Sequence, residues 1–246
     1  MTKTFLVEET NQVATVTFNR PEKRNPFDVE NLKELETILQ NLRDNAEVRV
    51  VIITGSGNTF CSGADVTSVK GVTDPAERER LFAEARKKRV RLISRNFSMV
   101  ENLEQVTIAA VNGYAVGGGW GLALACDFRL AVPGAKFWVP EVDYGSPLSM
   151  GASARLYSMV GAARAKEIIM TCERYTSEQL AEWGLVTKIV PADRLLPAAH
   201  ELADKMVAKS PKAVTGSKLT VNALAGIAAR ESITIPDHRI FIHNQN

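Results

Sequence analysis

The chain has 246 residues, 45% hydrophobic and 24% charged, with a formal net charge of +2. This is the profile of one large globular unit with a modest appendage, and so even a charge balance excludes a surface built throughout for nucleic acid. Three cysteines (Cys61, Cys126, Cys172) and three histidines (His200, His238, His243) lie at wide spacing. They make neither a disulfide framework nor a metal-ligand pattern, so a reducing, cytoplasmic setting without a metal is expected. No apolar run reaches bilayer length, and residues 1–4 lead straight into a strand-like segment, so neither a membrane span nor a signal peptide is expected.

In chain order, residues 5–8 and 13–18 alternate apolar and polar about Thr10-Asn11-Gln12, which predicts a hairpin with one buried face. Residues 19–26 hold two prolines and read as a loop. Its basic residues either meet a phosphate or are simply solvated. Asp28 is placed to cap a helix carrying Leu32, Leu35, Ile38, Leu39 and Leu42 at helical spacing, with Asn45 as the break. Residues 48–54 predict a buried strand. The turn Gly55-Ser56-Gly57-Asn58 leads to the small-residue loop Phe60-Cys61-Ser62-Gly63-Ala64-Asp65-Val66, where backbone can approach a ligand. Residues 75–100 predict a very basic helix containing Arg86, Arg89, Arg91 and Arg95. It is a solvated face, a seat for a polyanion such as a nucleotide, or a nonspecific nucleic-acid surface.

Residues 106–111 predict a strand, followed by a turn, Gly117-Gly118-Gly119 and an apolar helix. Three glycines where a helix begins leave N–H groups open to another molecule at the positive end of the helix dipole. The stretch is therefore either a tight packing turn or a seat for an oxygen that becomes anionic. Strands at 127–132 and 136–139 follow, then a loop at 140–145 carrying Glu141 and Asp143. Helices are predicted at 149–160, 162–171, 177–184, 194–210 and 212–232, with a last strand at 185–190. Repeated strand, crossover and helix units give an α/β protein: one folded unit with a helical tail.

Three segments then fall together. Asn19-Arg20-Pro21 with Arg24-Asn25, the loop at 60–66, and Ala109-Ala110-Val111-Asn112-Gly113 with Gly117-Gly118-Gly119 resemble the crotonase (enoyl-CoA hydratase/isomerase) superfamily. Pro140-Glu141, Gly145, Gly161 and residues 181–186 continue the match, over roughly residues 5–210. The resemblance implies a ββα spiral core over residues 1–190 and a C-terminal helical trimerisation region over 191–246. It implies an acyl-CoA substrate, coenzyme A being part of the thioester, no prosthetic group or nucleic-acid partner, and assembly as a homotrimer or dimer of trimers. By motif position, the N–H groups of Ala64 and Gly118 form an oxyanion hole, Lys23, Ser62, Ala64, Val66 and Gly118 line the coenzyme A path, and Glu141 is the acid/base.

One position departs from the family's hydratases, which use two glutamates. The first falls two residues after the triple glycine, and that position is Gly121. A single glutamate still moves a proton between two carbons, so double-bond isomerisation fits best. Hydration or hydratase-lyase chemistry with a second group from elsewhere, and a non-catalytic acyl-CoA binder, are the alternatives. Asp143 shares a side with Glu141 if the loop is extended, and otherwise bonds loop N–H groups. Tyr114 and Tyr144 are candidate donors near the acyl group. Trp120, Trp138 and Val139 are either pocket walls or core. Ser149 stands where halide-displacing and dienoyl-CoA-isomerising relatives carry an aspartate, which argues against those reactions. Residues 235–243 depart from the long final helix the family implies.

Overall fold

Apolar runs too continuous to leave one face polar form strands covered on both sides, and this decides the architecture. The computed structural model describes residues 4–65 and 73–233. The chain opens with an antiparallel pair, β1 (Phe5–Thr10) and β2 (Val13–Phe18). A 3-10 turn at Pro21–Lys23 follows, then α1 (Val29–Asp44). Asp28 caps α1: its carboxylate accepts from Asn31 N–H at 2.8 Å, and Asn31 Oδ1 accepts from Asp28 N–H at 3.0 Å.

Three units follow, each placing a strand in a large sheet, a strand in a small sheet and then a helix. They are β3 (Val50–Gly55), β4 (Thr59–Cys61) and α2 (Pro75–Asn102); β5 (Val106–Val111), β6 (Tyr114–Val116) and α3 (Gly118–Ala125); and β7 (Phe128–Ala131), β8 (Lys136–Trp138) and α4 (Ala152–Thr171). Next come β9 (Tyr175–Thr176), α5 (Ser177–Glu182), β10 (Lys188–Ile189), α6 (Leu195–Val207) and α7 (Pro211–Ile233). The large sheet runs β1-β2-β3-β5-β7-β10 and the small one β4-β6-β8-β9. This is an α/β fold with a ββα spiral.

The period of two along the central strands sorts their side chains. Val51, Ile53, Ala109 and Val111 enter the main core beneath α1 and α2, whereas Val50, Ile52, Ile108 and Ala110 face Leu195, Ala198 and Ala199 of α6. Sequence and structure differ at several points. β2 is buried nearly throughout rather than on one face, because helices cover both sides of the sheet, while edge strand β1 is exposed beyond Phe5. β6 is a strand of three residues squeezed between Gly113 and Gly117, too short to show a period. Of residues 185–190 only two join the ladder. The helix expected from 149 starts at Ala152, since Met150 and Gly151 are left-handed (φ 65° and 70°), while the break expected between residues 160 and 162 is present, at Gly161 (φ 73°, ψ 172°).

A buried ion pair ties α7 to the sheet. Lys218 Nζ lies 2.8 Å from Asp127 Oδ2 and donates to Gln105 O at 2.8 Å, and Asp127 also accepts from the Thr107 N–H and hydroxyl. Removing one partner strands a desolvated charge, so Lys218→Met is expected to cost about 3 kcal/mol in a denaturant melt. An unchanged midpoint would mean that water screens the pair.

Candidate active site

The spiral brings two glycine-bearing loops into contact. Phe27 N–H donates to Gly63 O and Asp65 N–H donates to Phe27 O, both at 2.7 Å, so Phe27 and Ala64 form a parallel bridge. In such a bridge the N–H of residue 64 points away from Phe27. Gly63 has φ +80°, and a Cβ there would lie 2.7 Å from Val116 O and 3.4 Å from Gly118 N. A Cβ on Gly119 would lie 2.2 Å from Cys61 O. Only glycine lets α3 start this close to the loop after β4. Gly118 is the first residue of α3, where an N–H has no intrahelical acceptor. Ala64 and Gly118 both line a cavity of about 970 Å³.

Glu141 reaches the same cavity. Gly117 N–H donates to Trp138 O at 2.9 Å, which fixes the end of β8 against the glycines. Glu141 O then accepts from Tyr144 N–H at 3.1 Å and Ser146 N–H at 2.9 Å, closing the 3-10 turn Val142–Tyr144. The carboxylate lies directly over Gly117: a Cβ on that glycine (φ +50°) would meet Oε1 at 2.6 Å. Oε2 is shielded from solvent and has no hydrogen-bond partner among the described residues. Burial pushes the pKa up from 4.5 to about 7. A carboxyl poised near neutrality can both take and return a proton.

Comparison with known proteins places the chain in a family. A family model described as enoyl-CoA hydratase/isomerase matches residues 8–245. The chain belongs to the enoyl-CoA hydratase/isomerase family. It is 37% identical over 218 residues to a short-chain-enoyl-CoA hydratase of Clostridium acetobutylicum, covering 88% of this chain and 80% of that one. It is 34% identical over 219 residues to a crotonyl-CoA hydratase of Syntrophomonas wolfei, covering 89% and 81%. Among solved structures, an enoyl-CoA hydratase from Bacillus anthracis superposes with a TM-score of 0.79 at 33% identity, covering 97% of this chain and 93% of that one.

Within this family member the cavity wall gathers Ser62, Ala64, Gly118 and Glu141. Lys23 is exposed on its 3-10 turn and is not part of the wall, whereas its neighbour Arg24 is. Val66 lies outside the described residues. Tyr114, Tyr144, Trp138 and Ser149 line the cavity. Trp120 and Val139 are core, Trp120 packing edge-on against Phe137. Asp143 is exposed and off the wall: its backbone is a 3-10 turn, not extended, so spacing by two does not put it beside Glu141. Gly121 is buried, and a Cβ there would lie 2.9 Å from Phe97 Cε2 and 3.6 Å from Ala152 Cβ.

The basic helix is not simply a solvated face. Arg89 is 3% exposed, donates to Asp65 O at 2.7 Å, and has its pKa lowered by burial. Arg86, half-buried, donates to the Ser146 hydroxyl. Arg86, Arg89, Val90 and Ile93 follow helical spacing onto the cavity, a signal the sequence carried but that its many other basic residues hid. Arg174 also lines the cavity and stacks 4.7 Å from the Trp138 ring centroid. Burial pushes the Cys61 and Cys126 thiols up to about 12, so neither is a nucleophile at neutral pH. Among the described residues no cluster of His, Cys, Asp or Glu is placed to hold a metal, and no helix is long and apolar enough to cross a membrane.

Proposed function

We propose that the protein shifts a double bond in an enoyl-CoA thioester, from 3-enoyl to 2-enoyl, with Glu141 as its single acid/base. The observation that carries this is the pairing of the half-buried Glu141 carboxylate, whose Oε2 has no hydrogen-bond partner among the described residues, with Gly121, the family's first-glutamate position, closed by Phe97. With the thioester oxygen between the N–H groups of Ala64 and Gly118, the Glu141 carboxylate removes a proton from Cα. The C–H electrons pass into the conjugated system, and the oxygen becomes an oxyanion held by the two donors. Glu141, now protonated, returns the proton to C4, leaving the double bond between C2 and C3. No water enters, and no prosthetic group is called for.

In this reading the coenzyme A portion follows Lys23, Ser62, Ala64 and Val66, mostly along backbone. Assembly as a homotrimer or dimer of trimers belongs to the same proposal. Exposed Leu219, Val221 and Leu224 on α7 support an apolar contact there.

Hydration is the second reading, because the relatives at 37% and 34% identity are named as hydratases. Incubation with 3-enoyl- and 2-enoyl-CoA, followed by mass spectrometry and ultraviolet absorbance, separates them. Isomerisation is expected: conjugation gained from 3-enoyl-CoA at constant mass. A mass gain of one water from 2-enoyl-CoA as the faster reaction would establish hydration instead. Tight binding of both thioesters without turnover would leave an acyl-CoA binder.

A further inference from the structure

The cavity holds more positive charge than a neutral acyl chain requires. Its charged lining residues, among those described, are Arg24, Arg86, Arg89, Arg174 and Glu141. The arginines fall into separate groups. Arg24 sits beside Ser62, whose N–H donates to Arg24 O at 3.1 Å, and Arg174 lies over Trp138. Arg86 and Arg89 belong to α2, on the face that also carries Val90 and Ile93. Ile93 Cδ1 lies 3.8 Å from where a Cβ on Gly118 would be, so this face begins at the expected oxyanion hole. Arg89 and Arg86 stand four and seven residues before Ile93, about 6 and 10 Å along the helix axis. Pro147 and Met150 line the cavity with them, and Arg86 bonds Ser146 in the same segment.

We infer that Arg86 and Arg89 receive a carboxylate at the far end of the acyl group, so that the preferred substrate is the coenzyme A thioester of a dicarboxylic acid. The inference rests on the proposed acyl-CoA reading and names the substrate class for that site. Two guanidiniums on one helix face repel each other, and Arg86 acts on Arg89 in that sense while Asp65 and Asp28 act in the opposite one. Bringing an anion to the pair offsets that repulsion and adds charge-assisted hydrogen bonds in a partly desolvated site. A methyl-ended chain does neither.

The test uses saturated thioesters, so that binding is read without turnover. Adipoyl-CoA and hexanoyl-CoA have equal chain length and differ at the terminal group, and coenzyme A alone reports its phosphates. By calorimetry, adipoyl-CoA is expected to bind about tenfold or more tightly than hexanoyl-CoA. Arg86→Met should bring the two within about twofold while leaving hexanoyl-CoA and coenzyme A unchanged, and Arg86→Lys should restore part of the preference. Ser146→Ala removes the Arg86 partner but not its charge, and should keep the preference. Equal affinity for the two thioesters would overturn the inference. So would an Arg86→Met variant that weakens coenzyme A as much as adipoyl-CoA, which would assign the guanidinium to phosphate. Failure of the catalytic reading looks different: neither 3-hexenoyl- nor 3-hexenedioyl-CoA would turn over, with the binding preference intact.

Discussion

Glu141→Gln is expected to lower turnover of an enoyl-CoA thioester by about 10²–10⁴-fold, the range for loss of a positioned acid/base, while making the protein more stable above pH 7. The two effects share one cause. Burial raises the carboxyl from 4.5 to about 7, so the native state disfavours the ionised form. Below the unfolded value both states hold the proton and there is no penalty. Between pH 4.5 and about 7 the native state keeps a proton that the unfolded chain has lost, so stability falls as pH rises through that window, and above it the full cost remains. A shift of this size corresponds to about 3 kcal/mol, trimmed to about 1–2 by solvent at the half-exposed edge. Denaturant melts should show Glu141→Gln stabilised at pH 8 and unchanged at pH 4.

The same value fixes the sign of the rate profile. If Glu141 begins by removing a proton, kcat/KM for 3-enoyl-CoA rises through about pH 7 and levels off. If it begins by donating one to Cα during water addition, the profile for 2-enoyl-CoA falls across that range. Full activity in Glu141→Gln, or a rate flat from pH 5 to 9, would remove Glu141 from the chemistry.

What the sequence disclosed follows from which features need a particular residue at a particular place. The Gly63 and Gly119 approaches tolerate no Cβ, so both loops are written as glycine-rich motifs. The Asp28 cap and the leucine stripe of α1 are local, and both are present as predicted. Asp143 was misleading because its side depends on backbone shape, and the loop turned out to be a 3-10 turn. Arg86 and Arg89 were hidden because a basic helix reads the same whether it faces water or a cavity. Phe97 was invisible as a determinant of position 121: 24 positions separate it from Gly121, and only the packing of α2 on α3 brings them together.

That contact changes the meaning of Gly121. Read from sequence, the glycine is a missing carboxylate, which Gly121→Glu should restore. In the structure the position is not vacant. The Phe97 ring is wholly buried, stands 6.0 Å from the Phe27 ring, and would lie 2.9 Å from the first carbon of any side chain at 121. Gly121→Glu must therefore displace a packed aromatic ring and bury a carboxylate against it. Overpacking costs about 1–3 kcal/mol and the desolvated charge several more, so a loss above about 4 kcal/mol is expected. Gly121→Ala should lose about 1–2 kcal/mol from the overpacking alone. Replacing Phe97 by alanine in the Gly121→Glu background removes the clash and opens room for the glutamate. Truncating that ring costs about 3–5 kcal/mol of its own, so thermal melts should rank wild type above Gly121→Ala, and both well above Gly121→Glu with or without Phe97→Ala. A Gly121→Glu variant that folds like wild type and adds water to 2-enoyl-CoA faster would show that Phe97 yields, and that the glycine alone withholds hydration.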